Sequence, residues 1–130
     1  MALAHVTLAT RNLRGSTAFF HEVMGWTPIG RPTNNAMPTS WLQIAPGQEL
    51  HMVEVADFEP SPFEREYGRH VAVSLPRSAF AGVKARLTAR GITPIEPERA
   101  TPFARFFFRD PNGYVFEVIE EERAAEELTT

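Results

Sequence analysis

The chain repeats itself. His5-Val6-Thr7-Leu8-Ala9 leads to Leu50-His51-Met52-Val53, and His70-Val71-Ala72-Val73-Ser74 leads to Phe116-Glu117-Val118-Ile119. His5 and His51 are 46 positions apart, and His70 and Glu117 are 47. Gly25-Trp26-Thr27-Pro28-Ile29 answers Gly91-Ile92-Thr93-Pro94-Ile95 at an offset of 66, which His51 and Glu117 share. A duplicated unit sets equivalent residues around a pseudo-twofold axis. Three histidines and a glutamate in equivalent slots are therefore candidates to converge on one point.

Each copy reads as βαβββ. In the first, His5 to Thr10 alternates in character as a strand does. Ser16 is the expected cap of a helix over 17–24, and Gly25 the residue that ends it. Thr27 to Arg31, Trp41 to Ile44 and Glu49 to Val55 read as strands, with 32–38 a loop. In the second, His70 to Leu75, Pro94 to Glu98, Ala104 to Arg109 and Tyr114 to Glu120 read as strands. Ser78 is the expected cap of a helix reaching Arg90. Asp110-Pro111-Asn112-Gly113 is a strong turn. The expected layout is one domain over 1–130: module one at about 2–56, a linker at 57–69 that is a solvated loop or a lid, module two at 70–121 and a tail at 122–130.

Strand parity sorts the candidates. His5, Thr7 and Ala9 share a face, as do His51 and Val53, His70 and Ala72, and Val115 and Glu117. The opposite faces carry bulkier residues suited to packing on the helices. Helices then lie outside and a cavity inside. Taken singly, each histidine is more simply structural. Glu117 on an apolar strand is rarer, because carboxylates are seldom buried without a partner. Together, imidazoles and a carboxylate suit one divalent transition metal: Fe, Mn, Ni, Co or Zn. His51 and Glu117 are also the candidate catalytic groups. A hairpin through Gly113 sets Phe107 opposite Glu117 and Arg105 opposite Ile119. That register aims Arg105 and Phe107 into the cavity, Arg105 as a binder of substrate carboxylate or phosphate or as a solvated edge residue. Trp41 is a cavity wall or core, and His21 a packing residue.

At these residues the chain resembles the vicinal oxygen chelate superfamily, which includes glyoxalase I, extradiol dioxygenases and bleomycin resistance proteins. The motifs are the His5 strand, Phe19-Phe20-His21-Glu22-Val23-Met24-Gly25-Trp26, Leu50-His51-Met52, His70-Val71-Ala72-Val73, and Asp110-Pro111-Asn112-Gly113-Tyr114-Val115-Phe116-Glu117. The resemblance implies an α+β fold: two paired βαβββ modules in a curved, barrel-like mixed sheet around a metal. It implies His5, His70 and Glu117 as ligands, and His51 at the place where glyoxalase I has a further carboxylate ligand. It also implies a homodimer, with the ligands drawn from one chain or from two.

Three functions follow as expectations. The first is a metal-dependent isomerase or lyase that chelates vicinal oxygens of a small molecule. The second is an Fe(II) or Mn(II) dioxygenase, and the third a non-catalytic binding or resistance protein. A net charge of −3 gives no reason to expect nucleic acid or an anionic membrane as partner. The absence of cysteine excludes thiolate chemistry and fits a cytoplasmic setting.

Overall fold

The computed structural model describes residues 1–31 and 37–122. The chain divides into two compact units, Met1–Glu59 and Pro60–Thr130. The boundary falls inside the segment expected to be a linker. Most of the expected 32–38 loop lies outside the described residues, as does the tail from 123.

Unit 1 runs β1 (His5–Thr10), α1 (Leu13–Met24), β2 (Thr27–Ile29), β3 (Thr39–Ala45) and β4 (Gln48–Glu54). Its sheet order is β1-β4-β3-β2, with β1 parallel to β4 and the other pairs antiparallel. The helix begins earlier than Ser16 suggests. Asn12 is the cap, its Oδ1 accepting from the Gly15 amide at 2.9 Å. Ser16 instead lies buried within the helix, its hydroxyl 2.8 Å from that of Thr10. The ability of serine to cap is thus spent on tying α1 to β1. Phe19, Phe20, Val23 and Met24 are buried, each contributing about 1.5–3 kcal/mol of apolar burial. His21 donates from Nδ1 to the Trp26 carbonyl at 2.8 Å and is otherwise exposed at the surface.

Unit 2 runs β5 (Val71–Leu75), a 3-10 turn at Arg77–Ala79, α2 (Phe80–Ala89), β6 (Arg105–Arg109) and β7 (Val115–Glu120). Its sheet order is β5-β7-β6, with β5 parallel and β6 antiparallel to β7. Ser78 sits in the 3-10 turn, and α2 has no side-chain cap. The strand expected at Pro94 to Glu98 shrinks to one bridge, Ile95 to Phe107. Pro94 and Pro97 flank Ile95 and have no amide to donate, so the ladder stops there. Phe106, Phe108, Phe116 and Val118 are buried with Phe80, Val83 and Leu87 of α2.

The architecture of the described residues is α+β, with a four-stranded mixed sheet in unit 1 and a three-stranded mixed sheet in unit 2. The repeat survives in topology: β1 pairs parallel with β4 as β5 does with β7, and β3 flanks β4 as β6 flanks β7. The hairpin register is the expected one, with Phe107 opposite Glu117 and Arg105 opposite Ile119.

Candidate functional site

The candidate ligands fall two and two: His5 and His51 in unit 1, His70 and Glu117 in unit 2. Among the described residues no group of three or more His, Asp or Glu side chains is placed to hold a metal ion.

In unit 1 the parallel register sets Thr7 beside His51 and the antiparallel one sets Trp41 beside it. Three rings result. His51 stacks on His5 at 4.0 Å on one side and on Trp41 at 3.8 Å and 3° on the other. Trp41 is therefore a half-buried platform rather than core. Glu49, two residues before His51 and so on the same face, lies 2.8 Å from His51 Nε2. An ionised carboxylate only accepts, so the proton sits on Nε2 and Nδ1 carries the lone pair. His5 is exposed, and among the described residues neither of its ring nitrogens is hydrogen-bonded. The open groove of about 520 Å³ beside α1, lined by Arg14, Thr17, His21 and Ser40 among others, involves none of the candidates.

In unit 2, Glu117 Oε1 lies 3.1 Å from His70 Nε2, and Oε2 accepts from Arg105 Nη1 at 3.0 Å. The Glu117 side chain is 9% exposed and that of Arg105 3%, so this charge pair is sheltered from water. His70 Nδ1 lies 3.3 Å from the Arg65 carbonyl, which can only accept. Both neighbours of the ring accept, so without a metal either nitrogen can carry the proton; with one bound, the Arg65 carbonyl would hold it on Nδ1 and free Nε2 to ligate. Nε2 and Oε1 are the borderline and hard donors that a divalent transition ion accepts, and the strand pairing brings them side by side. The donor chemistry of this pair fits a divalent ion.

The structure corrects two expectations here. Arg105 is neither an open substrate binder nor a solvated edge residue; it is buried and held by Glu117, by Glu66 at 3.1 Å and by the Arg99 carbonyl. Phe107 is 2% exposed, its ring edge-on to His70 at 5.4 Å, so it is a wall and not an open contact. The segment 57–69 is largely exposed, as a solvated loop is, but it is anchored at Glu64. Glu64 is 3% exposed and accepts from the Val115 amide at 3.0 Å and from Arg69 at 2.7 Å. Arg109 donates to the Glu64 carbonyl at 2.8 Å. Glu64 and Glu66 were not recognisable as anchors from sequence, because charged residues following Pro60 and Pro62 read as a solvated loop. Glu49 was recognisable, since period-two spacing puts it on the face of His51.

Comparison with known proteins gives the family and the fold. The family model described as Glyoxalase/Bleomycin resistance protein/Dioxygenase superfamily matches residues 2–118. Glutathione transferase FosA of Serratia marcescens is 30% identical over 120 residues, covering 90% of this chain and 79% of that protein. Glyoxylase I 4 of Arabidopsis thaliana is 25% identical over 121 residues, covering 90% and 69%. Among solved structures, a mutant of the fosfomycin resistance protein FosX from Listeria monocytogenes, complexed with Mn(II) and 1S,2S-dihydroxypropylphosphonic acid, superposes with a TM-score of 0.77. It is 22% identical, with 98% of this chain and 95% of that chain covered, and shows the shared fold.

Proposed function

The chain belongs to the glyoxalase/bleomycin resistance protein/dioxygenase superfamily, and from that premise we propose that it is a divalent-metal-dependent enzyme acting on a small molecule with vicinal oxygens. The observation that carries the reading is the His70–Glu117 pair, a carboxylate buried on an apolar strand with an imidazole nitrogen 3.1 Å away. His70, Glu117 and His5 are the proposed ligands. His51 is proposed as a proton carrier rather than a ligand, because its Nε2 is engaged by Glu49. The ligands come from both modules, supplied by one chain or by two copies in a homodimer.

A bound divalent ion supplies Lewis-acid polarisation of substrate oxygen. Arg105 orients Glu117 through its 3.0 Å bond to Oε2. With the ion bound, the Arg65 carbonyl holds the His70 proton on Nδ1. His51 takes or returns a proton at Nδ1, with Glu49 stabilising the imidazolium at Nε2. Trp41 and His5 hold that imidazole by its two faces and limit its rotation. Isomerisation and lyase chemistry both suit such a proton carrier beside a polarised carbonyl. The relation to a glutathione transferase adds thiol transfer to the reactions to be assayed. The dioxygenase alternative gains no specific support from these contacts.

The test is elemental analysis of untagged protein purified without chelator, with Glu117→Gln alongside. About one divalent ion per pair of modules in the wild type and a large loss in the variant is the expected result. A chain that neither retains nor takes up metal refutes the reading.

A further inference from the structure

Glu66 plays no part in the proposed metal chemistry, yet it is the most heavily bonded carboxylate of its segment. Oε1 accepts from the Glu98 amide at 2.7 Å, and Oε2 from the Arg99 amide at 3.0 Å. Arg105 Nη2 adds a charged donor to Oε2 at 3.1 Å. Two consecutive amides and a guanidinium thus converge on one anion. This is the donor arrangement that cradles phosphate and related oxyanions. Burial pushes the Glu66 carboxyl up, but the two amides and Arg105 outweigh it and hold the group below the usual carboxylate range.

A second observation points the same way. Arg105 Nε is a buried donor with no hydrogen-bond partner among the described residues, on a side chain that is 3% exposed. Native proteins rarely leave such a donor unmade. The Glu66 carboxylate engages Arg105 through Nη2 alone. A tetrahedral oxyanion, with more acceptor oxygens than a carboxylate, has the capacity to satisfy Nε as well.

We infer that the Glu98 and Arg99 amides and the Arg105 guanidinium form a binding site for a small phosphate-like oxyanion, which Glu66 fills from within. The Glu66 segment is built to stay in place while that side chain swings out. Glu64 pins it to the Val115 amide and to Arg69 independently of the cradle. Gly68 closes its turn where a Cβ would stand 2.1 Å from the Phe63 carbonyl oxygen, so only glycine fits. An incoming oxyanion displaces one side chain, not the strap. Glu66 then acts as an internal competitor that sets a threshold concentration for the ligand.

The experiment is calorimetric titration of inorganic phosphate into the full chain, before and after chelator treatment. Wild type, Glu66→Ala and Glu98→Ala are compared, each checked for folding by circular dichroism. Glu66→Ala should bind phosphate at least about tenfold more tightly than wild type, a change of about 1.4 kcal/mol, and equally so after chelation. Glu98→Ala removes a neighbouring charge but keeps its amide, and should gain less than about threefold. If Glu66→Ala perturbs the fold, Glu66→Gln carries the same expectation, since it removes the charge and keeps the shape. Equal affinity in wild type and the folded Glu66 variant overturns the assignment. So does an equal gain in Glu98→Ala, which would mark general electrostatics. Binding lost on chelation would place phosphate on a metal and equally overturn it, while leaving the metal reading intact.

Discussion

Replacing Glu117 by Gln keeps the shape of a buried side chain and removes its charge, so it tests stability and ligation together. Oε2 is 3.0 Å from Arg105 Nη1 and Oε1 is 3.1 Å from His70 Nε2, with the side chain 9% exposed. Solvent screening is weak at such a site. Breaking a buried ion pair outright costs about 3–5 kcal/mol. Here Glu66 still partners Arg105, and the amide of Gln still offers an oxygen. The expected loss in chelator-treated protein is therefore nearer one charge-assisted hydrogen bond, about 1.5–2 kcal/mol. Metal affinity should suffer more. Changing an outer partner of a ligand costs about 10–100-fold, so exchanging an ionised ligand for a neutral amide should cost more than about 100-fold. Urea unfolding followed by tryptophan fluorescence reads the first quantity. Competition with a chromophoric chelator for Mn(II) reads the second. A stability loss under about 0.5 kcal/mol, the range of an ordinary surface change, would refute the buried pair. Unchanged metal affinity would refute Glu117 as a ligand.

Other outcomes follow from the same contacts. His5→Ala should lose metal, whereas His51→Ala should keep it and lose about 10²–10⁴-fold in turnover on the substrate once identified; metal loss in His51→Ala would restore a four-ligand set. Glu64→Ala strands the buried Val115 amide, and since Arg69 is half-exposed the cost should be about 1–3 kcal/mol from the amide alone. A urea midpoint matching wild type would show that the segment does not depend on Glu64. Burial pushes the Asp110 carboxyl from 3.8 up to about 6, despite the Asn112 and Tyr114 donors. The folded state thus binds this proton more tightly than the unfolded state. The stabilising contribution is complete below pH 3.8 and is lost as pH rises through about 6, by up to about 3 kcal/mol. Unfolding measured across that window should slope downward in wild type and flatten in Asp110→Asn; parallel slopes would remove Asp110 as the cause.

Much of the fold was legible because it rests on local periodicity and on repetition. The offset of 66 and the alternation along β1, β4 and β7 placed the strands and the faces of His5, His51 and Glu117. The Asp110–Gly113 turn set the β6–β7 register to the residue, since turn length determines which side chains face each other. Helix starts were less legible. Asn12 and Ser16 are both competent caps, and a bond to Thr10 in the neighbouring strand decides between them. The shortened strand at Ile95 was signalled by Pro94 and Pro97, whose missing amides outweigh the likeness to Thr27–Ile29.

The sequence by itself determined the duplicated modules, the superfamily and the identity of four residues able to bind metal, because ligand chemistry and strand parity are properties of single residues and their spacing. Only the tertiary structure decided what those residues touch. Arg105 turned inward onto Glu117 because either charge buried alone is strongly unfavourable, and pairing them offsets part of the cost of leaving water. Glu64 and Glu66 left the solvent because unpaired donors awaited them: the Val115 amide, and the amides of Glu98 and Arg99. Trp41 and His5 came to sandwich His51 through pairings across three strands. Each of these contacts joins residues far apart in the chain or on separate strands, and the partner of a buried charge is set by which strands pair, not by the residues beside it.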